Sequence, residues 1–290
     1  MGCPRSWLLT AADNQGRIRA AMTSGADAVI LDLEDGVVPS RKPDARVIVQ
    51  RLLHEQGAPS PELWVRINDL NTPWWRDDIA CVLSSKLAGL VLPKATPEAT
   101  NRLAAELSAM EHAAGLEEGK IGLLPLATET ATATLTMSGY RPANRRLRGL
   151  TWGIGDLVLD LGALTGRAQD GSYTPVMEMV RSLVILAAAS AEVPAIETAF
   201  MGTSDARGLR EHIMKARRDG FIGMLAVDPA QVATIHEAFA PAPEEITAAC
   251  KIVAAFESAG EDGVLDLDGK MLYAPHLSQA RRLLAPARSA

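Results

Sequence analysis

Short, unbroken apolar runs alternating with amphipathic stretches constrain this chain more than anything else in it. The run from Ala28 to Leu33, in the segment AVILDLEDGV, is the clearest. A strand with one face in water alternates apolar and polar residues, whereas an unbroken run belongs to a parallel strand covered on both faces. Comparable runs lie at 7–10, 62–68, 89–94, 121–129, 150–155, 195–198 and 223–227. Helical patterns separate them. One begins at Asp13-Asn14 and stops at Gly25, one spans Lys42 to Leu53, and one opens at Thr72-Pro73. Others cover Pro97 to Ala114, Pro175 to Glu192, Asp205 to Asp219 and Ala230 to Phe239. Eight such alternations predict an α/β chain folded as a (β/α)8 TIM barrel. A length of 290 residues suits one barrel with an appendage. The pattern changes past Pro241 and Pro243, so residues 1–240 are expected to form the barrel and catalytic domain. Residues 241–290 form a C-terminal helical extension, with helices at 244–259 and 276–284 around an acidic, turn-rich stretch from Gly260 to Gly269. An appendage of that size covers a site or makes a subunit contact, for instance as a lid over a neighbouring subunit.

In such a barrel the C-terminal strand ends ring the face that holds the active site. Here they carry acids at Asp32, Glu34, Glu129 and Asp156, cations at Arg66 and Lys94, and an amide at Asn68. The stretch from Ile121 to Asp156 matters most, because two apolar runs in it stop abruptly, one at Glu129 and one at Asp156. Acidic side chains brought together must be paired, protonated or bound to a cation. A hard divalent ion such as Mg²⁺ answers this need, taking one or two carboxylates and leaving its other positions to water and substrate. The alternative is that both acids simply sit at the starts of the following helices. The planar fork of Arg66 suits a small carboxylate, or a salt bridge to one of the LDLED acids. Lys94 could form a Schiff base with a carbonyl substrate, or be a paired lysine kept charged by its acidic neighbours.

Other chemistry is excluded more simply. The net charge of −6 without a basic run argues against nucleic acid. No apolar stretch reaches the ~18 residues of a membrane span. The N-terminus has no secretory pattern. Met1-Gly2-Cys3 with Ser6 fits a loose acylation pattern, but 5–9 reads as the start of the first strand. Cys3, Cys81 and Cys250 make no CxxC motif, which predicts reduced thiols, a cytoplasmic setting and no zinc site. Phosphate-loop, hydrolase-elbow and zinc-protease motifs are missing. Gly153-x-Gly155 is followed by Val158 where dinucleotide binding needs glycine. His54, His112, His212 and His236 fall inside helices and read as surface or packing residues. The segment from Gly162 to Thr174 is a loop long enough to suspect function.

Taken together, the strand-end residues resemble the citrate lyase β-subunit-like family within the HpcH/HpaI aldolase superfamily. The matching motifs are Arg5-Ser6, GADAVILDLEDGV with Lys42 and Ala45-Arg46, and Arg66-Ile67-Asn68. They continue with Leu92-Pro93-Lys94, Glu129-Thr130-Ala131, and Gly153 to Gly162 with Asp156. The resemblance implies a Mg²⁺-dependent carbon–carbon lyase or aldolase that works as a homotrimer or a dimer of trimers. Its substrate would be a small 2-oxo or 2-hydroxy acid, free or joined to coenzyme A as an acyl thioester. It implies metal ligation by Glu129 and Asp156, which with Arg66 form the catalytic set, and places the acid's carboxylate on Arg66. It puts Asp32, Glu34, Asp35, Asn68 and Lys94 around the substrate, with Lys42 and Arg46 in support. Two other outcomes stay open: a metal-dependent acyl-CoA thioester hydrolase, and an oxo-acid-binding subunit of a larger complex without turnover.

The chain departs from that family in two places. Many members end the barrel with GK and IHPxQ, where this chain has Gly223-Met224 and Val227-Asp228-Pro229-Ala230-Gln231. Thioester-cleaving relatives carry a DGxMID-like segment whose aspartate serves as acid and base in a neighbouring subunit's site. This chain reads Asp268-Gly269-Lys270-Met271-Leu272-Tyr273, with a phenol at that position. Tyrosine ordinarily ionises near ~10, so a phenol is a poor base at neutral pH.

Overall fold

The computed structural model describes residues 3–55, 61–259 and 263–284. Gly2, on which the acylation pattern rests, lies outside them. The chain divides after Phe239 into two compact units, Cys3–Phe239 and the part from Ala240 onward.

The larger unit holds eight parallel strands: Ser6–Ala11 (β1), Ala28–Asp32 (β2), Glu62–Arg66 (β3), Leu87–Leu92 (β4), Gly122–Pro125 (β5), Leu150–Thr151 (β6), Ala195–Glu197 (β7) and Gly223–Ala226 (β8). Their order is β5-β4-β3-β2-β1-β8-β7-β6. Two isolated parallel bridges, Leu123 to Leu147 and Leu126 to Thr151, bring the outer strands together, so the sheet curls into the expected (β/α)8 barrel. Among the described residues, nine α-helices follow the strands in this unit: Gln15–Met22 (α1), Lys42–Glu55 (α2), Trp75–Val82 (α3), Pro97–Ala113 (α4), Ala131–Thr136 (α5), Gly155–Asp160 (α6), Pro175–Ser190 (α7), Ala206–Asp219 (α8) and Gln231–Phe239 (α9).

The period of two along each strand divides the apolar residues between two cores. Trp7, Ala28, Ile30, Trp64, Val91, Leu124, Leu126, Ile196 and Leu225 make one cluster. Leu8, Val29, Leu31, Leu63 and Val65, the alternate residues of the same strands, pack in the other with helix residues such as Val49, Leu103 and Val184. The unbroken runs of the sequence are therefore two alternating sets, each buried on its own side. Trp7 and Trp64 meet edge to face in the first cluster, with ring centroids 5.0 Å apart. A Cβ at Gly89 would come within 2.2 Å of the Trp64 ring, so only glycine seats that indole.

Two strands are shorter than the sequence predicts. The run 121–129 yields only Gly122–Pro125, and the run 150–155 only Leu150–Thr151. Pro125 has no N–H to continue a ladder. Leu126 makes one bridge, and the chain then turns. Apolar content marks burial, and a buried turn has the same content as a buried strand.

The unit from Ala240 onward contains helices Pro243–Ala259 (α10) and Ala274–Leu284 (α11) around its own core of Val253, Phe256, Leu272, Leu277 and Ala280. Between the helices is an antiparallel hairpin, Leu265–Leu267 (β9) with Lys270–Leu272 (β10), whose first strand and turn fall in the stretch to Gly269 that the sequence suggested was turn-rich. Asp268 and Gly269 turn it with φ of 54° and 76°. An Asp-Gly pair with both residues at positive φ is a type I′ hairpin turn, a signal present in the sequence and passed over. No helix among the described residues is long and apolar enough to cross a membrane.

The histidines are only partly packing residues. His236 Nε2 lies 2.7 Å from Ser6 Oγ and 3.2 Å from Asp27 Oδ2. Both partners share one ring nitrogen, so no proton relay is formed. Ser6 begins β1, placing the cluster at the end of the barrel opposite the expected site. His212 packs against Tyr173 and Phe200, and burial lowers its pKa to about 4. Tyr173, itself buried, stacks under Arg167 and anchors the 162–174 loop.

Candidate active site

The site is built from the C-terminal ends of β2 through β6. Asp32 is the last residue of β2, and its carboxylate organises the turn after it. Oδ1 accepts from the Glu34 amide at 2.9 Å and Oδ2 from the Gly36 amide at 2.8 Å. A Cβ at Gly36 would lie 2.4 Å from Asp32 Oδ2, so the turn closes this tightly only with glycine. The same carboxylate receives Arg66 from the end of β3, side-on, through Nε at 2.7 Å and Nη2 at 2.6 Å. Arg66 Nη1 is 2.9 Å from Glu34 Oε2. That pair is close but out of line for a hydrogen bond, and Glu34 Oε2 has no hydrogen-bond donor. Burial works against the charged guanidinium, but Asp32, Glu34 and Glu129 outweigh it and raise its pKa further. Arg66 thus meets Asp32 with the side-on edge of its fork and turns Nη1 toward Glu34.

The LDLED turn is held from below. Buried Lys42 donates to the carbonyls of Leu33 at 2.7 Å and Glu34 at 2.8 Å. Asn68 Nδ2 donates to Leu33 O and to Asp78 Oδ2, so both amide protons are used inside the protein. Asp78 also accepts Arg46 Nε at 2.8 Å. Fully buried Asp78 was not singled out from the sequence, where it reads as an ordinary acid in the first turn of α3. Only the fold shows that it ties α2, α3 and the end of β3 together. Asp35, by contrast, is exposed and acts on this group through its charge on Glu34 and Lys42.

Lys94 links the two halves of the site. It lies two residues past β4 with φ of 48°, in the left-handed region that a lysine seldom adopts. In that conformation its backbone N–H donates to Glu129 Oε2 at 2.7 Å. Its ammonium reaches Glu34 Oε1 at 2.8 Å and Asp156 Oδ2 at 3.0 Å. Burial alone would lower its pKa. The bonds to Glu34 and then Asp156 outweigh burial and hold the ammonium well above the usual lysine range. A lysine so paired is a poor imine nucleophile, which favours the paired reading of Lys94.

Glu129 lies past β5 on a buried turn. Thr130, not Glu129, caps α5, accepting from the Ala133 amide at 3.0 Å. Burial and the nearby Glu34 charge push the Glu129 carboxyl up to about 7, against the Lys94 amide, Arg66 and the Lys94 ammonium. Asp156 occupies the first turn of α6, so the helix-start alternative is also true of it. Its side chain nevertheless points to Lys94.

The structure thus brings together Asp32, Glu34, Arg66, Lys94, Glu129 and Asp156, with Asn68 beneath them. Four carboxylates face two cations. Burial and the Glu34 charge, which together push Glu129 up to about 7, indicate that negative charge here is under-compensated. Among the described residues no group of three or more His, Cys, Asp or Glu side chains is placed to hold an ion alone. Two carboxylates fit a hard cation, which takes its other positions from water and substrate and needs no protein cage.

The sequence profile of the HpcH/HpaI aldolase/citrate lyase family matches residues 5–229. A citrate lyase subunit beta-like protein of Mycobacterium tuberculosis is 31% identical over 98% of this chain and 96% of its own length. A (3S)-malyl-CoA thioesterase of Cereibacter sphaeroides is 30% identical over 98% and 95%. Protein CitE of M. tuberculosis, solved in complex with magnesium, acetoacetate and coenzyme A, superposes with a TM-score of 0.78 at 30% identity, covering 99% of each chain. The C-terminal strand ends, their charged residues and these matches over nearly the whole length agree: the chain belongs to the HpcH/HpaI aldolase/citrate lyase family.

Proposed function

We propose that this protein is a Mg²⁺-dependent carbon–carbon lyase or aldolase acting on a small 2-oxo or 2-hydroxy acid, free or as its coenzyme A thioester. The observation that carries the reading is that Glu129 and Asp156 converge on Lys94, which Glu34 ties to Arg66. Glu129 and Asp156 would hold the ion, which when bound supplies Lewis acidity toward the acid's carbonyl. Arg66 binds the acid's carboxylate and keeps it in one orientation, because Asp32 fixes the guanidinium plane. Glu34, through Lys94 and Arg66, holds both cations in place. The magnesium, acetoacetate and coenzyme A bound by the M. tuberculosis relative support this ligand class.

A chelator is expected to abolish turnover, and borohydride added with substrate should leave Lys94 unmodified, as read by mass spectrometry. Substrate trapped on Lys94 would replace the metal mechanism with an imine. A second reading, thioester hydrolysis at the same site, is favoured by the 30% identity to the malyl-CoA thioesterase. Product analysis separates the two. A lyase yields a 2-oxo acid and a shorter acyl-CoA, and a hydrolase yields the intact acid with free coenzyme A. Oxo-acid binding without either product would make the chain a binding subunit.

Tyr273 bears on the thioester half. It follows β10, is 50% exposed, donates its backbone N–H to His276 Nδ1 at 3.2 Å and meets that ring edge to face at 4.5 Å. If it stands where relatives place a carboxylate base, malyl- and citramalyl-type thioesters should be turned over weakly or not at all, with oxo-acid binding intact. Tyr273→Asp should then raise that turnover. Robust wild-type turnover unaffected by Tyr273→Phe would assign the base elsewhere.

A further inference from the structure

Lys94 contacts three of the four carboxylates of this site, one through its backbone and two through its side chain. It donates its backbone N–H to Glu129 and its ammonium to Glu34 and Asp156, so one residue contacts both carboxylates read above as metal ligands. Its backbone is held at φ 48° to do so. A left-handed lysine costs on the order of 1 kcal/mol or more and persists where surrounding contacts over-determine it. Those three carboxylate contacts are what hold it.

For Asp156 the Lys94 ammonium at 3.0 Å is the ion-pair partner in this state, and α6 has no side-chain cap drawing the carboxylate elsewhere. The charges also count. Four carboxyl groups, those of Asp32, Glu34, Glu129 and Asp156, face two cations, Arg66 and Lys94. Arg66 is locked side-on to Asp32 and cannot leave without stranding a buried acid. Lys94 is different: its side chain is 29% exposed, ends on a flexible stem and keeps Glu34 as a second partner. A divalent ion arriving at Asp156 therefore meets one movable positive charge.

We propose that Lys94 is a built-in counter-ion of Asp156 that competes with the metal: magnesium entry displaces the Lys94 ammonium from Asp156, and Lys94 thereby sets the metal affinity of the site. The inference rests on the reading that Glu129 and Asp156 are the metal ligands. Its consequence is that the metal-free site is kept assembled by the same residue that weakens metal binding, so the ion can exchange. The contact to Glu129 is made by the backbone and does not use the side chain.

Isothermal titration of magnesium into the whole wild-type protein and into Lys94→Met tests this. Removing one of two cationic charges beside the ion should tighten magnesium binding by about tenfold. A dissociation constant in Lys94→Met that is unchanged or weaker overturns the proposal. Should Lys94→Met fail to fold, the wild type carries a second measurement. Lys94 acetylation by N-hydroxysuccinimide acetate, followed by mass spectrometry, should accelerate when magnesium is added, because the ammonium has lost a carboxylate. Equal or slower labelling with magnesium overturns the proposal as well. The two levels separate cleanly. If the wild type binds magnesium and Asp156→Asn does not, while Lys94→Met leaves the affinity unchanged, the metal site stands and only the competition falls. If the wild type binds no magnesium, both fall.

Discussion

Metal-free Glu129→Gln protein is expected to melt roughly 5–10 °C above the wild type at pH 8, while losing measurable magnesium binding. Its cause is the raised Glu129 carboxyl, about 7 in the folded protein against an ordinary 4.5. A carboxyl raised on folding binds its proton more tightly in the native state. Its contribution to stability is therefore complete below about 4.5 and is lost as pH rises through about 7. Above that window the wild type carries an ionised, buried carboxylate beside Glu34, at a cost of about 2–3 kcal/mol. Glutamine keeps an oxygen to accept the Lys94 amide and removes the charge. The gain should vanish near pH 4.5, where both proteins are neutral at this position, and should shrink in the wild type's favour when magnesium is present. Thermal melts at pH 4.5 and 8, with and without magnesium, read all of this. Equal melting of the metal-free proteins at pH 8 would show that Glu129 carries no such cost.

Arg66→Ala is expected to destabilise the protein by about 3–5 kcal/mol and to abolish binding of a 2-oxo acid. Asp32 is 2% exposed and takes both bonds of the guanidinium's side-on edge. Truncating the arginine leaves that carboxylate buried with two backbone amides and no cation, and removes a cation beside Glu34 as well. Arg66→Lys should restore part of the stability, since it returns a positive charge. It should not restore binding, because an ammonium on Asp32 cannot also present a planar pair of N–H groups to a second carboxylate. Denaturant unfolding measures the first effect and calorimetry with pyruvate the second. Tight pyruvate binding by Arg66→Lys would move the carboxylate site away from Arg66.

These expectations draw on the sequence to different degrees. The barrel was legible because burial on two faces leaves unbroken apolar runs, and eight of them spaced by helical patterns have few other solutions. Asp32 and Arg66 were legible for the same reason: each ends a run, and a charge that ends a buried strand lies on the face where strands open to solvent. Glu129 and Asp156 were found by the same rule although the strands stop earlier, since a buried turn carries the signal onward. The Asp268-Gly269 hairpin was also written in the chain, in a turn pair that enforces positive φ.

What only the tertiary structure decided is who touches whom. Asn68 reads as a strand-end amide and Asp78 as an ordinary helix-start acid ten residues on, yet Asp78 accepts Asn68 and Arg46 together inside the protein. Asp35 sits beside Glu34 in sequence and is exposed, while Lys94, sixty residues from Glu34, bonds to it. The physical reason is that a side chain's direction follows from backbone torsions and long-range packing, which a one-dimensional pattern does not record. The left-handed torsion of Lys94 is the sharpest instance. Nothing in Leu92-Pro93-Lys94 demands it, and it is held by carboxylates that arrive from three other strand ends.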